Sequence, residues 1–233
     1  MVSEKNLHYK VLECGDEKNK VIVIDNFHPD AETIFKKAQT SPHFTAQAED
    51  FYPGKRKPVE QQYVLYLIKT LEQLLKKTYN IEKNKMLSVG LCAYSLTTNT
   101  ERQLRPIQCI PHIDTHDKYQ FAAVHYLSYR AFGGTSFYKH RSSGLESIDS
   151  QHLKNYFAQL KVEIMKDTPT TYIHSDTFLF QKLMEVEFLF NRVVVYPSNM
   201  LHSGNIYPNN SLSSDPRKGR LTVNAFLNFS DLN

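Results

Sequence analysis

The sequence predicts a mainly β (α+β) chain: a double-stranded β-helix, or jelly roll, with packing helices on its N-terminal side and one inserted helix. Three observations carry that prediction. Residues 59–79 repeat apolar side chains at helical spacing, while most of the chain after Asn84 consists of short apolar or aromatic runs broken by polar loops and glycines. A single helical pattern interrupts those runs. An order of helices first, then many short strands, fits two packed sheets with helices on the outer face of one.

Taken in order, Lys20–Ile24 is a β-branched run ending at Asp25-Asn26 and reads as a strand. Pro29-Asp30 opens a helix through about Ala38, with proline at an early position and acids in the first turn. Phe51-Tyr52-Pro53-Gly54 is a turn or loop. Val64, Leu67, Ile68, Leu71, Leu74 and Leu75 then fall on one helical stripe between Val59 and Tyr79. Leu87–Leu96, Ile107–Ile113, Phe121–Leu127 and Thr135–Tyr138 read as strands. Asp149–Met165 is the inserted helix, with Leu153, Phe157, Leu160 and Ile164 as its apolar stripe. Glu185–Phe190 and Val193–Tyr196 read as a hairpin turning at Asn191-Arg192, and Arg220–Phe229 as the last strand. Ser211–Lys218, polar and containing Pro216, reads as a mobile surface loop. The expected organisation is one domain over 1–233: a strand and helix support region, 1–84, and a catalytic core, 85–233.

Composition narrows the class. Hydrophobic residues make up 41% and charged residues 22%, as in an ordinary globular protein, and a net charge of +4 is mild. Lysines and arginines are scattered apart from Lys55-Arg56-Lys57 and Arg217-Lys218, so a solvated surface is expected and no nucleic-acid partner. No apolar run reaches the roughly 20 residues of a membrane span. Met1–Lys5 lacks a signal-peptide core, and Cys14, Cys92 and Cys109 are an odd set without C-x-x-C spacing. A cytoplasmic protein with reduced thiols and no membrane partner is expected. Oligomeric state is not legible.

The chemistry-bearing pattern is His112-Ile113-Asp114, answered by His202 in Leu201-His202-Ser203-Gly204. Alternate side chains of an extended segment share a face, so an H-x-D pair sets an imidazole beside a carboxylate. A second, distant histidine completes two imidazoles and one carboxylate, the set that covers one face of an octahedral metal and leaves the other open. On opposite sheets of the roll, the two histidines would point inward at its mouth. A second reading stays open, in which His112 and Asp114 are a hydrogen-bonded surface pair and His202 is a capping residue. His116, His125, His140 and His174 are further candidates; His125 alternates with apolar neighbours and reads as a core or cleft residue, and His116 as a supporting partner. Arg220 leads an apolar strand inward and needs an anionic partner, since an unpaired buried guanidinium is costly; a surface salt bridge at an exposed strand end is the alternative. Tyr126 has an apolar body for the core and a hydroxyl for a pocket anion, and Gly133-Gly134 permits a tight turn.

These segments together resemble the prolyl-4-hydroxylase-like branch of the 2-oxoglutarate/Fe(II)-dependent dioxygenases. Phe121-Ala-Ala-Val-His-Tyr-Leu-Ser with Gly-Gly-Thr-Ser-Phe-Tyr is similar to that family's strand–turn–strand after H-x-D. Pro197-Ser-Asn-Met-Leu-His202-Ser-Gly resembles its distal histidine segment, and Gly219-Arg220-Leu-Thr-Val-Asn224 its final strand. The resemblance covers roughly Leu87 to Phe229. It implies Fe(II) held by His112, Asp114 and His202, with 2-oxoglutarate as co-substrate. Arg220 and Tyr126 would then grip the C5 carboxylate, Asn224 would line that pocket, and Tyr94 would match the family's tyrosine on the strand before H-x-D. The implied activity is hydroxylation of a C–H bond in a small molecule, an amino acid or a peptide side chain. The intervals from Tyr94 to His112 and from His202 to Arg220 are longer than usual, which leaves Arg217 or Lys218 as alternative anchors. A metal enzyme that does not use 2-oxoglutarate and an inert jelly-roll binding module remain rivals. Phe51–Arg56 reads either as a loop over the active-site mouth or as a plain surface turn.

Overall fold

The computed structural model describes residues 7–40, 43–46, 51–130, 132–208 and 212–231. Among these, ten strands form two antiparallel sheets in a jelly-roll-like arrangement with three helices. The large sheet has the order β1-β2-β8-β5-β10-β4-β3. In sequence these are β1 (Tyr9–Cys14), β2 (Asn19–Ile24), β3 (Gly54–Pro58), β4 (Lys85–Thr97), β5 (Gln120–Tyr126), β8 (Val193–Pro197) and β10 (Arg220–Asp231). The small sheet is β7 (Phe180–Val186), β6 (Thr135–His140) and β9 (His202–Gly204). The N-terminal region is thus part of the large sheet, to which it adds three strands.

Strand alternation divides the large sheet into two faces. On β10, Leu221, Val223, Ala225, Leu227 and Phe229 face a core shared with the first two helices, whereas Phe226 packs with the cluster between the sheets. On β5, Phe121 and Ala123 face the helices, while Ala122, Val124 and Tyr126 face the interior between sheets. The helices α1 (Ala31–Ala38) and α2 (Gln61–Tyr79) cover the outer face, as the apolar stripe predicts. Leu67, Leu71 and Leu75 of α2 are essentially free of solvent. Each contributes about 2 kcal/mol by leaving water. The helix stops at Asn80, which takes the left-handed conformation (φ 54°) and donates its N–H to the Lys76 carbonyl.

Four local expectations are corrected. Ile107–Ile113 is no strand: Pro106–Cys109 forms a 3₁₀ turn and only His112 makes a β-bridge. Pro106, just before the run, and Pro111, within it, cannot donate to a ladder, which breaks it. Glu185–Phe190 and Val193–Tyr196 are not a hairpin, because β7 lies in the small sheet and β8 in the large one. The chain crosses between sheets there through Asn191 (φ 63°), whose carbonyl accepts the Phe27 N–H at 2.9 Å. The inserted helix, α3 (Leu153–Lys166), starts later than Asp149 and buries Tyr156 and Leu160, leaving the expected stripe residue Phe157 exposed. Asp149 instead receives the backbone N–H groups of Gln151 and His152. Finally, Lys55–Lys57 is in β3 and not plain solvated surface. Lys57 is buried, its Nζ donating to the Lys37 carbonyl in the last turn of α1 and to the Thr40 carbonyl just after it, both at 2.8 Å. The carbonyl-rich, partly negative C-terminus of a helix suits a cation.

Met1–Lys5 and Ser211 lie outside the described residues. The remainder of the 211–218 loop is a set of turns in which Arg217 pairs with Asp215 at 2.8 Å. Among the described residues no helix is long and apolar enough to cross a membrane.

Candidate metal centre and anion pocket

The segment after Pro111 is laid against β9 by two backbone bonds, His112 N–H to the His202 carbonyl at 2.9 Å and the reverse at 3.0 Å. Asp114 N–H donates to Ser198 at 2.8 Å, so residues 112–114 run antiparallel to 198–202. The expectation that the two histidines come from opposite sheets is therefore corrected. They are direct cross-strand neighbours at the edge of the small sheet, with ring centroids 4.4 Å apart.

Asp114 sits between them. Its Oδ1 is 3.7 Å from His112 Nε2 and its Oδ2 is 3.6 Å from His202 Nε2. One potential ligand atom from each of the three residues lies within 4.8 Å of the others. His202 Nδ1 is 2.9 Å from the Met200 carbonyl, so that nitrogen carries the proton and Nε2 turns its lone pair toward Asp114. Fixing an imidazole by a carbonyl behind it is how metal-binding histidines are oriented. Burial in the cleft lowers both imidazoles to about 4, and at His112 the neighbouring His202 adds to the effect while Asp114 opposes it. The His112 side chain nevertheless keeps 48% of its surface at the mouth. Both rings are neutral near pH 7, the form that binds a metal.

Arg220 opens β10 on the interior face and is 5% exposed. Its Nε and Nη2 donate to the carbonyls of Gly133 and Gly134 at 3.2 and 3.1 Å, and the guanidinium lies 5.4 Å over the Phe188 ring. Among the described residues no carboxylate forms an ion pair with it. The Gly133-Gly134 turn makes this approach possible: a Cβ on Gly134 would come within 1.7 Å of the Val186 carbonyl. Its hydrogen bonds among the described residues go to neutral carbonyls, which leave the guanidinium charge unbalanced and able to take an anion. Arg217 and Lys218 stand exposed outside this cleft, with Arg217 held by Asp215.

Tyr126 is buried beside this group, its hydroxyl 2.8 Å from Thr135 Oγ1 and its ring stacked on Phe188 at 4.4 Å. Burial raises its phenol to about 12 against the pull of Thr135 and Arg220, so it is a neutral hydrogen-bonding group. Asn224 faces the same cleft and accepts the Thr222 hydroxyl at 2.8 Å. Tyr94 does not join them. It pairs with Val223 on the helix side of the sheet, and its hydroxyl reaches Ile34 O and Glu60 Oε2. A one-residue step in strand register puts a side chain on the opposite face, which is why its expected pocket role is corrected.

The other histidines lie apart from the three. His125 bonds Tyr63 and Asn191 on the helix side, His140 bonds Glu163 outside the small sheet, and His116 is exposed. Tyr52 is the residue that sequence reading left undecided. It lines the cleft, bonds Thr97 Oγ1 at 2.9 Å, and lies close enough to Arg220 to feel its charge. The aromatic and basic composition of Phe51–Arg56 was its only signal. The whole cleft measures about 510 Å³ and contains His112, Asp114, His202, Arg220 and Asn224. It brings a candidate metal centre and an anion pocket into one space.

Solved structures share this fold at low sequence identity. The non-haem alpha-ketoglutarate-dependent epimerase SnoN from nogalamycin biosynthesis aligns with a TM-score of 0.51 and 9% identity, covering 91% of this chain and 78% of that one. SnoN in complex with Fe3+, alpha-ketoglutarate and nogalamycin RO gives 0.52 and 10%, covering 91% and 80%. Iron-bound HygX from Streptomyces hygroscopicus gives 0.50 and 14%, covering 91% and 83%. The fold is thus one found in 2-oxoglutarate-dependent non-haem iron enzymes. No curated protein matches the sequence. The chain belongs to DUF6445, a family of unknown function, whose sequence model matches residues 5–227.

Proposed function

We propose that this protein is an Fe(II)- and 2-oxoglutarate-dependent oxygenase that hydroxylates a C–H bond of a small molecule, an amino acid or a peptide side chain. The observation that carries the reading is the convergence of His112, Asp114 and His202, with ligand atoms within 4.8 Å of one another. Two neutral imidazoles and a carboxylate form the donor set that suits Fe(II) and leaves one side of it open. Arg220 supports the same reading independently, because it is buried in the same cleft and, among the described residues, no carboxylate forms an ion pair with it. SnoN, of the same fold, was crystallised with Fe3+ and alpha-ketoglutarate, and HygX with iron. The two sheets correspond in this reading to a double-stranded β-helix whose mouth carries the reaction.

Within the site, His112, Asp114 and His202 hold the metal, and Asp114 supplies the negative charge that partly offsets it. Arg220 takes the C5 carboxylate of 2-oxoglutarate in its planar fork. Tyr126 and Asn224 offer neutral hydrogen bonds beside that group. When bound, iron and the oxo acid together supply the oxidising power, using dioxygen and releasing succinate and carbon dioxide. The chain's own contribution is orientation and a largely apolar cavity around the reacting bond.

Anaerobic titration of the Fe(II)-loaded protein with 2-oxoglutarate tests this. A saturable visible charge-transfer band supports it. Bound iron without a band points to a metal enzyme that uses another co-substrate, and no bound iron points to a binding module. Asp114→Ala should abolish stoichiometric iron binding without unfolding the protein. Arg220→Ala should weaken 2-oxoglutarate binding by about 30-fold, the equivalent of losing about 2 kcal/mol of charge-assisted hydrogen bonding. Unchanged affinity would move the anchor elsewhere.

A further inference from the structure

We propose that the substrate of this cleft carries an uncharged aromatic or alicyclic body, held at the mouth by Phe51, Ile107 and Phe157; this rests on the oxygenase reading above. All three residues line the cleft. They are also 61%, 38% and 44% exposed, respectively. They come from separate parts of the chain: Phe51 precedes β3, Ile107 lies in the 3₁₀ turn and Phe157 is on α3. Large apolar side chains from three elements, meeting in water at the entrance of one cleft, mark a binding surface rather than scattered exposure.

The wall behind the rim is also apolar. Ile110, Ile113 and Leu160 line it, and Ile113 separates the two metal-binding candidates of the H-x-D pair. The rim is fixed in place. The Arg105 guanidinium lies 4.8 Å over the Phe51 ring, and Gln108 Nε2 donates to the Phe51 carbonyl at 2.9 Å. His140 and Ser142 hold Glu163 at 2.8 and 2.6 Å, tying α3 to the end of β6. A prearranged surface binds without first being ordered.

Charge and size narrow the class further. Arg56, Asp114 and Arg220 are the Asp, Glu, Lys or Arg residues lining the cleft among the described residues. Asp114 belongs to the metal set, Arg220 to the co-substrate, and the Arg56 guanidinium lies 4.6 Å over the Tyr52 ring. A polycationic substrate such as an aminoglycoside needs several carboxylates, and among the described residues Asp114 is the one carboxylate that lines the cleft. A volume of about 510 Å³ suits a small molecule and has to hold the co-substrate as well. The body of the substrate therefore extends outward onto the rim.

The test is a fluorescence titration of metal-free, 2-oxoglutarate-free protein with the neutral probe N-phenyl-1-naphthylamine. Saturable binding is expected, weakened about tenfold or more in the Phe51→Ser/Phe157→Ser double variant, as expected for lost apolar contact area. Phe178→Ser, at an 84% exposed apolar residue outside the cleft, should leave binding unchanged. Kanamycin should not displace the probe. Absence of saturable binding, equal affinity in the double variant, or displacement by kanamycin overturns the proposal. Should the double variant not fold, Phe157→Ser alone makes the same comparison, with a loss of affinity again expected. Because no metal is used, failure of the oxygenase reading shows separately, as a missing charge-transfer band with probe binding intact.

Discussion

Mild acid should destabilise this protein through His125, a residue outside the candidate site. It is buried on the helix side of β5, with Tyr63 Oη 2.9 Å from Nδ1 and Asn191 Oδ1 3.0 Å from Nε2. Asn191 Oδ1 is an acceptor, so Nε2 carries the proton and Nδ1 accepts from Tyr63. Burial lowers the imidazole from 6.5 to about 3, with the bond to Asn191 opposing the shift. The unfolded chain therefore takes up a proton at pH values where the native state does not. The associated stability is complete above pH 6.5 and is lost progressively as pH falls toward 3. At pH 5 the loss is about 2 kcal/mol, a large fraction of the roughly 5–15 kcal/mol that holds a domain together. The assay is urea unfolding of metal-free protein at pH 7 and pH 5, comparing wild type with His125→Gln. Glutamine keeps one donor and one acceptor but does not titrate. His112 and His202 titrate in both proteins, so the difference isolates His125. Wild type should lose about 2 kcal/mol more than the variant between the two pH values. Losses equal to within about 0.5 kcal/mol would refute the argument.

Tyr94→Phe should cost about 1 kcal/mol of stability, from the bonds to Ile34 and Glu60, and leave 2-oxoglutarate affinity unchanged. A clear drop in affinity would return Tyr94 to the pocket. Leu71→Ala, at a fully buried position of α2, should destabilise the protein by about 2–5 kcal/mol in urea, and a loss under about 1 kcal/mol would mean that the helix is not seated on the sheet as described. Gly134→Ala forces its Cβ toward the Val186 carbonyl, so the turn that receives Arg220 must shift. Titration should show weaker 2-oxoglutarate binding together with a lower melting temperature; wild-type values for both would show the turn to be tolerant.

Much of the framework was legible because it arises from local periodicity. The spacing of Leu67, Leu71, Leu74 and Leu75 specified α2 and its buried face, and alternation in 220–229 specified β10 and the inward direction of Arg220 and Asn224. The H-x-D pair and the distant His202 could be recognised as a set because residue type and spacing limit what chemistry they can perform. Side-chain partners chosen across the fold were not legible. Lys57 looked like surface charge because nothing nearby in sequence shows that α1 ends beside it. Ile107–Ile113 looked like a strand because apolar content does not register the donors missing at Pro106 and Pro111.

The sequence by itself determined the helix α2, the extended cores of β2, β4, β5, β6, β8 and β10, and which residue types could offer metal-binding and anion-binding chemistry. Only the tertiary structure decided that His112 and His202 are cross-strand neighbours, that Tyr94 faces the helices, and that Phe51, Ile107 and Phe157 line one cleft. The physical reason is that side-chain direction is set by short-range backbone geometry, whereas proximity depends on which strand pairs with which. That pairing is fixed by packing two sheets and their helices together, and it leaves no mark in any one segment.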